Sequence, residues 1–196
     1  MGRRQLFDSD EVLLTMMQLF RRQGFHATSL RDLEAATGLH PGSLHRTFGN
    51  KDKIFRSALD AYVDRVVRRR VAEHLERVDD PLAGIRSYFT STFETGLDRD
   101  PGCLVTNSAI ESYALDELTT RGVRRGLDEI EQGLARAVAR AQTADQIPTA
   151  RSPDRLGLRL LVDYQGILVL VRSGAEPARL RQVTDDIVTS LRDPPG

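Results

Sequence analysis

Apolar residues recur along this chain at intervals of three and four, and almost nowhere in strict alternation. That is the period of a helix, so the pattern predicts an all-α protein. The first apolar face is Val12, Leu13, Met16, Met17, Leu19 and Phe20, over about 9–23, with Ser9 or Asp10 placed to cap it. Gly24 stops that helix, and the Thr28 and Ser29 hydroxyls open a second at about 29–37. Leu30, Leu33 and Ala36 fall three apart along it. Gly38 suits the left-handed backbone that ends a helix and begins a sharp turn. Pro41 suits the first position of a third helix, about 41–48, whose buried stripe is Leu44 and Phe48.

The remainder reads as six more helices, about nine in all. Gly49-Asn50 make a turn, and a long helix runs from Lys51 to about Val78 on Ile54, Phe55, Ala58, Leu59, Tyr62, Val63, Val66 and Val67. Asp79-Asp80-Pro81 is a clear boundary. Helices follow at about 82–97, 103–113 and 116–144, the last carrying Gly122, Gly126 and Gly133 as marks of close helix contacts or bends. The helix at about 154–173 is apolar nearly all round, which exceeds what one domain needs to bury. With its neighbour at about 176–191 it predicts a homodimer interface, two helix pairs packing as a four-helix bundle.

Composition removes several function classes. Lys and Arg balance Asp and Glu at 28 each, so bulk charge gives no reason to bind polyanions, and any such binding must come from placement. One cysteine, Cys103, excludes an internal disulfide and fits a reducing compartment. The first residues lack an apolar core of signal-peptide length, and no apolar run approaches a membrane span. A cytoplasmic protein without a membrane partner is expected. The chain has no phosphate-cradling glycine loop, no Gly-x-Ser-x-Gly elbow and no His-Glu-x-x-His. His26, His40, His45 and His74 are not spaced as a metal set. The expectation is therefore a non-enzyme with no catalytic residue, metal or cofactor.

The stretch from Leu19 to Phe55 carries the remaining chemistry. Two short helices about a tight turn leave His40, Gly42, Ser43, His45, Arg46 and Thr47 facing outward, small, polar or cationic groups that suit a helix lying in the major groove. The stretch resembles the helix-turn-helix of the TetR (tetracycline repressor) family. The likeness rests on Leu19-Phe20, Gly24-Phe25, Thr28-Ser29-Leu30, Leu33, Ala36, Gly38-Leu39, Gly42-Ser43-Leu44, Phe48 and Lys51, and it is sharp over roughly the first 60 residues. Two positions depart from the family pattern: Glu34 stands where a small Ala is usual, and His45 where the recognition helix usually has Tyr.

The resemblance implies a three-helix DNA-binding head over 1–55 and a helical body over 56–196 for effector binding and dimerisation. It implies a homodimeric repressor that binds a palindromic double-stranded DNA operator and is released by a small-molecule effector. Ser43, His45 and Arg46 would reach base edges, with His40, Pro41, Gly42 and Thr47 lining the contact. Thr28, Ser29 and Lys51 would hold phosphates, with Lys51 at a helix start that is itself an anion site. Arg3 and Arg4 form a short basic arm ahead of the head. The candidate effector lining is Tyr62, Val66, Phe89, Phe93, Cys103, Asn107, Glu111, Tyr113, Tyr164 and Gln165. Glu34 and His45 keep a second reading open, a helical dimeric interaction or redox-sensing protein on the same fold with altered or lost operator binding, Cys103 being the redox candidate.

Overall fold

The computed structural model describes residues 8–94, 102–111, 113 and 115–192. Among them it has nine helical runs and no strand. These are α1 (Ser9–Gln23), α2 (Leu30–Thr37), α3 (Pro41–Phe48), α4 (51–76), α5 (Pro81–Thr90), α6 (Leu104–Ile110), α7 (Glu117–Thr143), α8 (Pro153–Arg172) and α9 (Pro177–Thr189). The arm with Arg3 and Arg4 lies outside the described residues, and the helix expected over 82–97 ends earlier, at Thr90, with 91–94 in a turn. The chain forms two compact units, Met1–Arg65 with Cys103–Arg124, and Val66–Gly102 with Arg125–Gly196.

In the first unit α1, α2 and α4 start where side chains satisfy exposed backbone N–H groups. Asp8, one residue before the expected caps, accepts from the Asp10 N–H and so takes the N-cap of α1. Ser29 and Asp32 form a reciprocal capping box on α2, and Asn50 caps α4 by accepting from the Lys53 N–H at 3.1 Å. Gly38 ends α2 at φ 67°, a left-handed conformation that favours glycine. Of Leu30, Leu33 and Ala36, only Leu33 is buried. Three-residue steps drift by about 60° each around an α-helix, so the set is too wide for one narrow contact. The core of the head is aromatic: Phe55 meets Phe20 at 4.8 Å and Phe25 at 4.9 Å between ring centroids. The start of α7 joins this unit through Gly122, where an added Cβ would sit 3.2 Å from Leu59.

Helix α4 departs from the simple helix that its apolar pattern predicts. It is α-helical over Lys51–Tyr62, π-helical over Val63–Val67, α-helical over Arg68–Arg70 and π-helical again over Val71–Glu76. The cause is visible in one line of its buried residues, Phe55, Leu59, Val63, Val67, Val71 and Leu75, each four after the last. A four-residue step overshoots one α-helical turn by about 40°, so five such steps would carry the stripe to the opposite side. The wider i→i+5 turns hold more residues and wind the stripe back.

In the second unit two glycines permit close helix approach. A Cβ on Gly84 of α5 would lie 2.5 Å from the His74 carbonyl, and one on Gly157 of α8 would lie 2.8 Å from the Ala135 Cβ. Gly133 of α7 faces Val71 in the same way, at 2.7 Å, as the sequence glycines suggested. Arg140 closes the end of α4, donating to the carbonyls of Leu75 (2.8 Å), Glu76 (3.0 Å) and Val78. Ion pairs Arg86–Asp185 and Arg181–Glu94 join α9 to α5 and the turn after it. On α8 the inward face is Leu156, Leu160, Leu161, Tyr164, Ile167 and Leu168. Leu158, Val162, Val169 and Leu170 of the same helix remain exposed, Val162 by 63%. Among the described residues no helix is long and apolar enough to cross a membrane.

Candidate nucleic-acid interface

Helix α3 is short because its boundaries are strong. Pro41 occupies its first turn, His40 Nδ1 accepts from the Gly42 N–H at 3.4 Å, and Gly49 at φ 87° ends it. Leu44 is its one buried residue. Around that anchor Pro41, Gly42, His45 and Arg46 are exposed, while Ser43 and Thr47 are half-buried. The helix therefore offers a cationic and hydrogen-bonding ridge with little apolar surface, the surface chemistry that base edges and phosphates accept.

The N-terminus of α2 is prepared differently. Thr28 is fully buried, and its hydroxyl donates to the Gly24 carbonyl at 2.7 Å, fixing the corner between α1 and α2. Ser29 is exposed, with its Oγ 2.6 Å from Asp32 Oδ2. Bonds from the Ser29 hydroxyl and backbone N–H hold the Asp32 carboxyl below the usual carboxylate range. Lys51, at the first position of α4, lies 4.3 Å over the Phe25 ring. Glu34 is half-buried on α2 and His45 exposed on α3, so the two unusual residues sit on the motif without disturbing it.

The sequence profile of bacterial regulatory proteins of the tetR family matches residues 13–58, the span of these three helices and the start of α4. Beyond the motif, the chain is 30% identical over 195 residues to the HTH-type transcriptional repressor ComR of Escherichia coli, covering 97% of this chain and 90% of ComR. The chain belongs to the TetR family. It is a DNA-binding transcriptional regulator of that family, and its likeness continues through the body. A TetR-family regulator of Chloroflexus aurantiacus is 26% identical with a TM-score of 0.78, covering 92% of this chain and 91% of that one. A cysteine mutant of the TetR-family regulator CifR, complexed with 26-base-pair operator DNA, has the same fold, at 23% identity and a TM-score of 0.83 over 97% of this chain and 100% of that one.

The residues expected around an effector fall in both units of this TetR-family chain. In the first unit Tyr62 and Cys103 are buried, Asn107 is buried on α6, and Glu111 is half-buried at its end. Tyr113 is 87% exposed, its ring 6.1 Å from His26 and nearly parallel to it. In the second unit Phe89 and Tyr164 are buried with ring centroids 5.3 Å apart, and Tyr88 lies 4.9 Å from Tyr164. Val66, Phe93 and Gln165 are half-buried, and Gln165 Nε2 is enclosed with no hydrogen-bond partner among the described residues. An open groove of about 400 Å³ on the second unit is lined by Asp79, Pro81, Ala139, Arg140, Thr143 and Ala144, none of them in the expected set.

The contacts of three residues were not legible in the sequence. Phe25 matched the family motif, but nothing in its spacing showed that its ring would carry Lys51. Asn107 and Glu111 were legible as a polar i, i+4 pair on a short helix. Their partners lie 86 residues earlier, a distance no local pattern encodes.

Proposed function

We propose that the protein is a homodimeric repressor that binds a palindromic operator through α3 and is released by a small effector. The observation that carries this reading is the exposed ridge of α3. Ser43, His45 and Arg46 are read as base-edge contacts, and His40, Pro41, Gly42 and Thr47 as the lining around them. Ser29 and Lys51 are read as phosphate contacts, with Thr28 holding the corner from which Ser29 projects. The head spans 1–55 and the body 56–196.

One such motif reads few bases, so two must be held at successive major-groove faces. The exposed apolar stripe of α8, with Leu158, Val162 and Val169, supports a partner subunit packed along α8 and α9. The aromatic group of Tyr88, Phe89 and Tyr164 beside Gln165 supports an effector with an apolar body and one hydrogen-bonding group. Such an effector acts as a switch only by binding more tightly to the state that does not fit the operator.

The test is selection of duplexes from a random pool by the full-length protein, followed by titration of the selected and a random duplex at about 50 and about 200 mM salt. Selection of a palindrome, bound salt-dependently and more tightly than random DNA, is expected. Equal, weak binding to every duplex would overturn the repressor reading in favour of a helical interaction protein.

A further inference from the structure

Helix α6 ends against the corner between α1 and α2. Glu111, the residue that follows α6, accepts the Phe25 backbone N–H on Oε2 at 2.8 Å. Its other oxygen lies over Gly24, so close that a Cβ there would be 2.3 Å away. One turn earlier Asn107 donates to the Arg21 carbonyl at 3.3 Å, in the last turn of α1. Asn107 of α6 and Glu111 at its end thus engage an acceptor and a donor left over where α1 stops.

That corner carries the groups that face phosphates. The Gly24 carbonyl receives the Thr28 hydroxyl, which sets where Ser29 and the first turn of α2 begin. The Phe25 ring carries the Lys51 ammonium on one side and packs on Phe55. A carboxylate oxygen on the Phe25 N–H therefore constrains both phosphate contacts through one peptide.

We propose that Glu111 is a positioning residue for DNA binding, holding the Gly24-Phe25 peptide so that Ser29 and Lys51 meet the phosphate backbone together. This rests on the operator-binding reading given above. Because phosphate contacts carry no sequence information, loss of the bond weakens binding to all duplexes alike. A contact to base edges would instead change the preference between duplexes.

The experiment compares the full-length wild type with Glu111→Ala, Glu111→Asp and Glu111→Gln. Each is titrated with the duplex that the wild type selects and with a random duplex, over a range of salt, and amide hydrogen exchange is followed at Phe25. Glu111→Ala is expected to bind both duplexes about tenfold more weakly with a shallower salt dependence, and to exchange the Phe25 amide faster. Glu111→Gln keeps an oxygen at the same reach and is expected to recover most of the affinity and the protection. Glu111→Asp keeps the charge but loses the reach, and is expected to behave as the alanine variant does. Should alanine not fold, the aspartate and glutamine variants decide. If the wild type selects a duplex that Glu111→Ala or Glu111→Asp binds equally well, the positioning role is overturned and operator binding stands. Failure of Glu111→Gln to recover overturns the acceptor role. If the wild type selects nothing, both readings fall.

Discussion

The Lys51 ammonium lies 4.3 Å from the centre of the Phe25 ring. Phe25 is buried and packs on Phe55, so the ring is a fixed platform. Lys51 is the first residue of α4, where the helix N-terminus already favours anions. Holding the lysine over an aromatic face keeps its charge at that spot, and under the proposed phosphate role this lowers the ordering needed on binding.

Replacement of Lys51 by Met is therefore expected to weaken binding to selected and random duplexes by similar factors. The slope of log affinity against log salt should shrink by about one. Anisotropy titrations across a salt series measure both quantities. Loss confined to the selected duplex would mean that Lys51 does not act on phosphates.

Arg46 and His45 stand exposed on α3, and their substitution should do the opposite. Arg46→Ala and His45→Ala are each expected to cost about 1–3 kcal/mol on the selected duplex and to relax its sequence preference at one position. Repeating the duplex selection with each variant reads this directly. An unchanged selected sequence from both variants would remove α3 from the base-reading role.

Val162 is 63% exposed on a stripe of α8 that also holds Leu158 and Val169. Val162→Asp places a charge on that stripe without entering the core. Sedimentation should then report a monomer with unchanged helicity, and binding to a palindrome should fall sharply, because two linked heads become two separate ones. A Val162→Asp protein that remains dimeric would place the interface elsewhere.

His74 lies in the second π-helical stretch with Nδ1 2.8 Å from the Ser87 hydroxyl. Burial holds its pKa below the ordinary 6.5, the Arg70 charge adds to this, and Glu73 opposes it. The unfolded chain takes up this proton near 6.5, whereas the folded chain resists it until lower pH. Its contribution to stability is therefore whole above 6.5 and is lost as pH falls through that window. The melting temperature should drop between about pH 7.5 and about pH 5.5, and less so in His74→Gln. Asp80 and Asp116, held low by hydrogen bonds, lose their contributions only in stronger acid, below 3.8. Asp163, raised by burial, changes stability with the opposite sign, so the comparison with His74→Gln isolates the histidine.

Arg140 donates to three carbonyls at and just beyond the end of α4. Arg140→Ala leaves those acceptors short of donors and is expected to destabilise the protein by about 2 kcal/mol, read from urea unfolding. A lysine there has no planar fork and should recover little of the loss.

The head was legible to within a residue at most boundaries because its punctuation is local. Gly24, Gly38, Pro41 and Gly49 each have a backbone role that spacing alone reveals. The body was legible as helices, and Gly133 as a close contact, but not as a set of tertiary bonds. Arg140 reaches carbonyls more than 60 residues away, and Glu111 reaches an N–H 86 residues away. Such pairs depend on how helices cross, which no periodicity records. The pattern that suggested an effector lining, polar groups mixed with aromatics, is met in this fold by ordinary packing and backbone support as well. The structure uses Asn107 and Glu111 to hold backbone in the first unit, while Phe89 and Tyr164 group in the second.

The matched spacing and winding of α4 also bear on changes of length. A π turn is an α turn with one residue to spare. Loss of a single residue within Val71–Glu76 can restore an ordinary turn while leaving the side chains on either side pointing as before. Loss of one residue within Lys51–Tyr62, which has no such surplus, rotates all that follows by about 100°. Family members that differ from this chain by one residue in α4 should carry the gap in the π-helical stretches and not near Lys51.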